Sequence, residues 1–278
     1  MPDISAPDLS SLRVFVGLYG LNRSLRWTWR SIDRCFLRPL AEAGVQVQVA
    51  AHFNMPKVVD NLQSQESNVR HRDAGWRRLA LDGMILEDQR IDPIHPDVQR
   101  WMRHAFPEDD DQEWQTRRNL VYQLYSIQRL WTLCGAMNAR DSDVFLFLRP
   151  DMEYLDPIDI GAIAAQLRGG VDLITANWAT WTGLNDRFAF ASRRGAEVYV
   201  SRLDHVDAFC RERCFLQAEQ LLLHVATESG LVLGETAIRA MRVRSNGATW
   251  REDFSLTPKQ YLRSVARKRL TKLGLPAY

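Results

Sequence analysis

Apolar and polar positions alternate in blocks that spell out strands and helices. Residues 12–17 read as a strand, Gly17-Leu18-Tyr19-Gly20 as a loop, and Asn22 or Ser24 as the cap of a helix ending at Gly44. Residues 45–52 then give a second strand. Strand, glycine loop, helix and strand open a parallel α/β sheet. Residues 54–118 are less regular, with Pro56, Asp92-Pro93 and His95-Pro96, and read as a helical and loop insertion covering one side of the site. Residues 119–134 place Leu120, Leu124, Ile127, Leu130, Trp131 and Cys134 at helical spacing. The unbroken apolar run 144–148 suits a strand buried on both faces. A helix over 158–167, a strand over 171–176, a polar and aromatic loop over 177–187 and a short strand at 187–191 follow. A helix over 209–229, a late strand at 240–243 and the turn Arg244-Ser245-Asn246-Gly247 complete the pattern.

The expected fold is one α/β domain over 12–255, a mostly parallel sheet flanked by helices, with a basic tail over 256–278. Composition changes this little: 278 residues, 46% hydrophobic and 25% charged, are ordinary for a globular chain. The net charge of +2 is unevenly spread. After Asp253 there is no acidic side chain, while Lys259, Arg263, Arg267, Lys268, Arg269 and Lys272 crowd the end. That tail can form a basic amphipathic helix on an anionic membrane or remain solvated. No apolar run is long enough to span a membrane, and no secretory signal is evident. Cys35, Cys134, Cys210 and Cys214 fit neither a disulfide framework nor a zinc site, so reduced thiols and a cytoplasmic setting are expected. The acidic run Glu108-Asp109-Asp110-Asp111 reads as a solvated loop. The histidines show no metal-ligand pairing, and no GxSxG, P-loop or GxGxxG motif is present, against hydrolase, kinase and dehydrogenase readings.

The strongest chemical signal is Arg149-Pro150-Asp151 after the strand 144–148. Open α/β sheets bind ligands beyond the carboxyl ends of their central strands. Asp151 can ligate a divalent ion or accept sugar hydroxyls, and Arg149 can neutralise a phosphate or pair with Asp151. A plain strand-terminating turn fits the same residues.

The order of these pieces resembles a nucleotide-sugar glycosyltransferase of the GT-A type, close to bacterial proteins of lipopolysaccharide, O-antigen and capsule synthesis. The matching segments are 14–32 (VFVGLYGLNRSLRWTWRSI), 122–133 (YQLYSIQRLWTL), 145–151 (FLFLRPD), Asn185-Asp186-Arg187-Phe188, Ala218-Glu219-Gln220-Leu221-Leu222 and Val243-Arg244-Ser245-Asn246-Gly247. The resemblance implies a UDP-, GDP- or dTDP-linked sugar donor, a glycan or lipid-linked acceptor and no nucleic acid, and the basic tail of a cytoplasmic enzyme of this kind can make a peripheral contact at the inner membrane. It implies Mn²⁺ or Mg²⁺ on an Asp-x-Asp turn, where Arg149 here replaces the first aspartate and Asp151 matches the second. The nucleotide would meet Gly17 and Gly20, with Tyr19 stacking on the base and Arg23 on the diphosphate. Gln123 and Ser126, off the apolar stripe, would face the nucleotide or solvent. Asp186 is the candidate base for the acceptor hydroxyl, or pairs with Arg187; Glu219 is a second base, or a helix-dipole carboxylate. Trp178, Trp181 and Asn185 would receive the acceptor. A GT-A-like binder without turnover is the alternative. A methyltransferase would need an acidic residue ending the second strand, where His52-Phe53-Asn54 stand instead.

Overall fold

The computed structural model describes residues 9, 11–61, 66–70, 73–90, 94–104, 111–141, 143–249 and 252–254. The chain begins with β1 (Arg13–Leu21) and a helix in three parts: α1 (Leu25–Ile32), a π turn (Asp33–Leu37) and α2 (Arg38–Glu42). Gly44, at φ +70°, stops it, in the left-handed conformation that glycine adopts without a Cβ clash. β2 (Gln46–Asn54), the hairpin β3 (Val58–Asn61) and β4 (Glu66–Arg70), a 3-10 turn (Gly75–Arg78) and β5 (Gly83–Glu87) follow. Next come α3 (Pro96–His104), α4 (Asp111–Ala136), β6 (Val144–Leu148), β7 (Met152–Tyr154), α5 (Ile160–Arg168), β8 (Leu173–Ala176) and β9 (Phe188–Ala191). The last described elements are α6 (Arg193–Val200), α7 (Val206–Arg213), α8 (Ala218–Glu228), β10 (Leu233–Thr236) and β11 (Ala240–Arg242).

Seven strands form the central sheet in the order β10-β8-β9-β6-β1-β2-β5. β9 runs antiparallel to both neighbours and every other pair is parallel. The chain is thus an α/β fold with a mostly parallel sheet between helices. β1 and β6 lie in the middle, which is why β6 is apolar throughout and β1 is buried from Val14 to Gly20. The period of two divides β1 between the layers. Val14, Val16 and Leu18 meet Leu25, Ile32 and Phe36 of the first helix, while Phe15 and Tyr19 join Ile127, Leu130 and Tyr199 on the other face.

Three expectations change. Gly17-Leu18-Tyr19-Gly20 is not a loop but the second half of β1, paired with β2 on one side and, through Leu18, with β6 on the other. Gly17 serves packing, because a Cβ there would stand 2.5 Å from Leu130 Cδ2 of α4. The stretch 54–118 is more than a helical insertion, since β5 is an edge strand of the central sheet. The helix expected over 209–229 is two, broken where Cys214 turns left-handed at φ +58°. The basic tail, and Glu108, Asp109 and Asp110 of the acidic run, lie outside the described residues. No described helix is long and apolar enough to cross a membrane.

Candidate functional site

The turn after β6 is held from three sides. Thr28 Oγ1 donates to Pro150 O at 2.6 Å, the Arg149 N–H donates to Tyr154 Oη at 3.1 Å, and the Val243 N–H donates to Asp151 O at 2.8 Å. That last bond continues the β7–β11 pairing, in which Arg242 stands opposite Met152. The local sequence therefore folds back at once, and brings Arg242 beside Asp151.

The Asp151 carboxylate is the hub. Arg149 forks onto it, Nε to Oδ1 and Nη2 to Oδ2, each at 3.0 Å. Arg23 Nη2 reaches Oδ2 at 2.9 Å, and Arg23 Nη1 reaches Glu66 Oε2 at 2.6 Å. Glu66 Oε1 in turn accepts from the Ser245 N–H at 2.7 Å and Oγ at 2.5 Å. The hairpin, the start of α1 and the 244–247 turn thus close on one another through buried charges. Burial alone would raise the Asp151 pKa, but Arg149 and Arg23 hold it well below the usual carboxylate range. Burial would lower Arg149, yet Asp151 and Asp186 raise it. Arg242 is drawn down to about 10 by burial and by neighbouring Arg149, and is still a cation at neutral pH.

Beside this cluster lies a carboxyl pair. Asp186 is buried, and Gln123 Nε2 donates to its Oδ2 at 3.0 Å. Tyr199 and Tyr19 hydroxyls donate to its backbone oxygen at 3.1 and 3.3 Å. Glu219, at the start of α8, is pushed up to about 8, by burial first and by the Asp186 charge second. The loop 177–187 reaches α8 through the Leu184 N–H, which donates to Glu219 O at 2.9 Å. Gly183 makes that approach feasible: a Cβ there would lie 2.0 Å from the same oxygen. Arg187 faces the pair, with Nη1 3.1 Å from Glu252 Oε2 and its guanidinium 5.0 Å from the Trp178 ring centroid.

The structure therefore brings Arg23, Gln123, Arg149, Asp151, Asp186 and Glu219 into one region at the carboxyl edge of the central strands. Other expected residues are placed differently. Tyr19 is fully buried and shares a 2.9 Å hydroxyl contact with Tyr199, so its ring is closed to a base. Gly17 is under α4. Gly20 gives its N–H to Ser126 Oγ at 2.7 Å, and that hydroxyl also meets His52 Nδ1 at 2.7 Å, which makes Ser126 a buried tie between α4 and two strands. Trp178 and Asn185 are interior: the indole N–H donates to Ile238 O, and Asn185 Nδ2 donates to Trp178 O. Trp181 alone of the three is exposed, at 61%, on the loop tip. Glu66, Arg242 and Ser245 were missed as site residues, because only the folded hairpin and β11 carry them to the turn. Ser245 lies in the Val243–Gly247 segment of the sequence pattern, whereas nothing in the residues around Glu66 marks a role.

A divalent ion does not fit Asp151 as it stands. Both of its oxygens accept from guanidiniums, and Arg242 adds a further cation nearby. Among the described residues no group of three or more His, Cys, Asp or Glu side chains is placed to hold a metal. The arrangement offers an anion fixed cationic charge instead.

No protein-family model matches the chain. No curated protein matches it either. Among solved structures, it is similar to the apo form of mouse xyloside xylosyltransferase 1, at 10% identity and a TM-score of 0.42, with 81% of this chain and 85% of that one covered.

Proposed function

We propose that this chain is a GT-A-type glycosyltransferase that moves a sugar from a nucleotide donor to a glycan or lipid-linked acceptor, a precursor of surface polysaccharide or lipopolysaccharide, at the cytoplasmic face of a membrane. The observation that carries the reading is the carboxyl pair Asp186 and Glu219 beside Arg149, Arg187 and Arg242, at the edge where open α/β sheets bind ligands. The order of the sequence segments supports the family.

In this reading the arginines receive the diphosphate of a UDP-, GDP- or dTDP-linked donor. As the bond to the sugar breaks, negative charge grows on the leaving diphosphate, and guanidiniums already in place stabilise it without reorganisation. Asp151 positions two of those cations rather than an ion. Asp186, oriented by Gln123, takes the proton of the acceptor hydroxyl in an inverting transfer. Glu219 carries a proton at neutral pH, so it donates a hydrogen bond to a sugar hydroxyl and is no longer a second base.

A thermal-shift panel of nucleotide sugars tests this. One donor should raise the melting temperature equally in manganese and in EDTA, and should be hydrolysed slowly. Asp186→Asn should keep the shift and lose the hydrolysis; Arg149→Ala should lose the shift while keeping its circular dichroism. The reading fails if no nucleoside diphosphate binds at millimolar concentration with or without manganese. Binding without turnover on any acceptor would favour the non-catalytic alternative.

A further inference from the structure

The outer side of α1 carries Arg26, Trp27, Trp29 and Arg30, and the turn Gly75–Arg78 lies against it with Trp76, Arg77 and Arg78. The two pieces are locked together. A Cβ on Gly75 would stand 2.3 Å from the Arg26 backbone nitrogen, and Asp73 accepts from the N–H groups of both Arg26 and Gly75. Three indoles and four guanidiniums therefore share one surface. Arg26 lies 5.0 Å from the Trp27 ring centroid and Arg77 5.1 Å from that of Trp76. Trp29 is contacted at 5.5 Å by Arg30 of its own helix and at 5.5 Å by Arg78 of the turn.

All four arginines are exposed, and among the described residues none of them forms an ion pair. Arg26, Arg30, Arg34 and Arg38 also follow one another at intervals of four, where like charges repel along a helix. Trp27 is 52% exposed and its ring rests on the 244–247 turn, where a Cβ at Gly247 would stand 3.0 Å from it. The chain thus holds guanidiniums without ion pairs in a fixed array around one half-exposed indole, Trp27, and two partly buried ones, Trp29 and Trp76, that pack inward against the core. Indoles suit the boundary between headgroups and acyl chains, and guanidiniums pair bidentately with phosphate.

We propose that this arginine–tryptophan face of α1 and the Gly75–Arg78 turn docks on an anionic lipid bilayer surface. Charge complementarity selects that occupant, and the indoles favour a bilayer over a purely ionic polyanion. The face adjoins the candidate site: Arg26 Nη2 donates to Ser245 O at 2.8 Å, and Ser245 binds Glu66. The inference rests on the surface itself and stands independently of the reaction proposed above.

Co-sedimentation of the full chain with phosphatidylcholine vesicles, with and without phosphatidylglycerol, tests it. Binding should require the anionic lipid and weaken with salt. Each arginine removed should weaken partitioning about fivefold. The Arg30→Gln, Arg77→Gln, Arg78→Gln triple variant should therefore lose binding while melting like the wild type, and Trp27→Ala should weaken it at high salt too. No binding to anionic vesicles overturns the proposal. So does unchanged binding by the triple variant, which would assign the contact to another part of the chain. Binding to heparin or single-stranded RNA but not to vesicles would also overturn it.

Discussion

Replacing Asp151 by asparagine removes one charge from the centre of the site and leaves its shape. In the wild type the Asp151 side chain is 5% exposed, that of Arg23 is 4% and that of Arg149 is 14%. Three charge-assisted hydrogen bonds converge on the carboxylate, and Arg242 adds cationic charge close by. Removing one partner of such a buried set leaves uncompensated cations and costs about 3–5 kcal/mol. For a domain of this size that is a fall in melting temperature of roughly 6–20 °C at pH 7. The pH dependence follows from the depressed native pKa. An ordinary aspartate titrates at 3.8, so the ionised Asp151 stabilises the fold above that pH, and the contribution is lost as pH falls through it toward the lower native value. Asp151→Asn should therefore flatten the acid limb of a melting-temperature profile. Pyrophosphate should stabilise the variant more than the wild type, because the site then carries one more net positive charge, and an oxyanion compensates the Arg149 and Arg23 guanidiniums that Asp151 no longer neutralises. Calorimetry between pH 3 and 8, with and without pyrophosphate, reads all three effects. A fall of less than about 2 °C at pH 7, with an unchanged acid limb, would refute the idea that Asp151 anchors these cations.

Glu219 gives the opposite sign. Its native pKa of about 8 lies above the ordinary 4.5, so the folded state holds a proton that the unfolded chain has released, and stability falls as pH rises from about 4.5 to 8. Glu219→Gln should remove that slope and stabilise the protein at pH 8 by roughly 2–4 kcal/mol, measured by urea melts at pH 5 and pH 8; a parallel slope in the variant would count against it. Gly183→Ala should force the 177–187 loop off α8, since its Cβ would meet backbone rather than a flexible side chain. The expected cost is about 1–3 kcal/mol by urea melt, with faster hydrogen exchange at Leu184; a neutral substitution would show that the loop yields freely.

Much of the scaffold was legible because its signals are local. Residues 144–148 form an unbroken apolar run, and the structure places β6 over the same five residues, buried on both faces. The periodicity over 119–134 lies inside α4, and Gly44 ends the first helix. The chemistry was less legible. The glycines at 17 and 20 suggested a loop, yet β2 pairs along the whole of β1 and β6 pairs with it as far as Leu18, so the strand runs through both, and the space left by the missing Cβ of Gly17 went to Leu130. Tyr19 was consequently taken into the interior, and Ser126 was spent on joining α4 to the sheet.

What the sequence by itself determined is therefore the α/β order of elements and the charged turn at Arg149-Pro150-Asp151, since hydrophobic period and turn chemistry act over a few residues. Only the tertiary structure decided what surrounds that turn. Glu66 and Ser245 lie far from Asp151 along the chain, yet they complete its hydrogen-bonded cluster once the hairpin and the 244–247 turn fold over it. Burial then sets the protonation of each group: two guanidiniums keep Asp151 charged, while the neighbouring Asp186 charge keeps Glu219 protonated at neutral pH. Desolvation and Coulomb energy depend on distances through space, and those distances exist only in the folded chain.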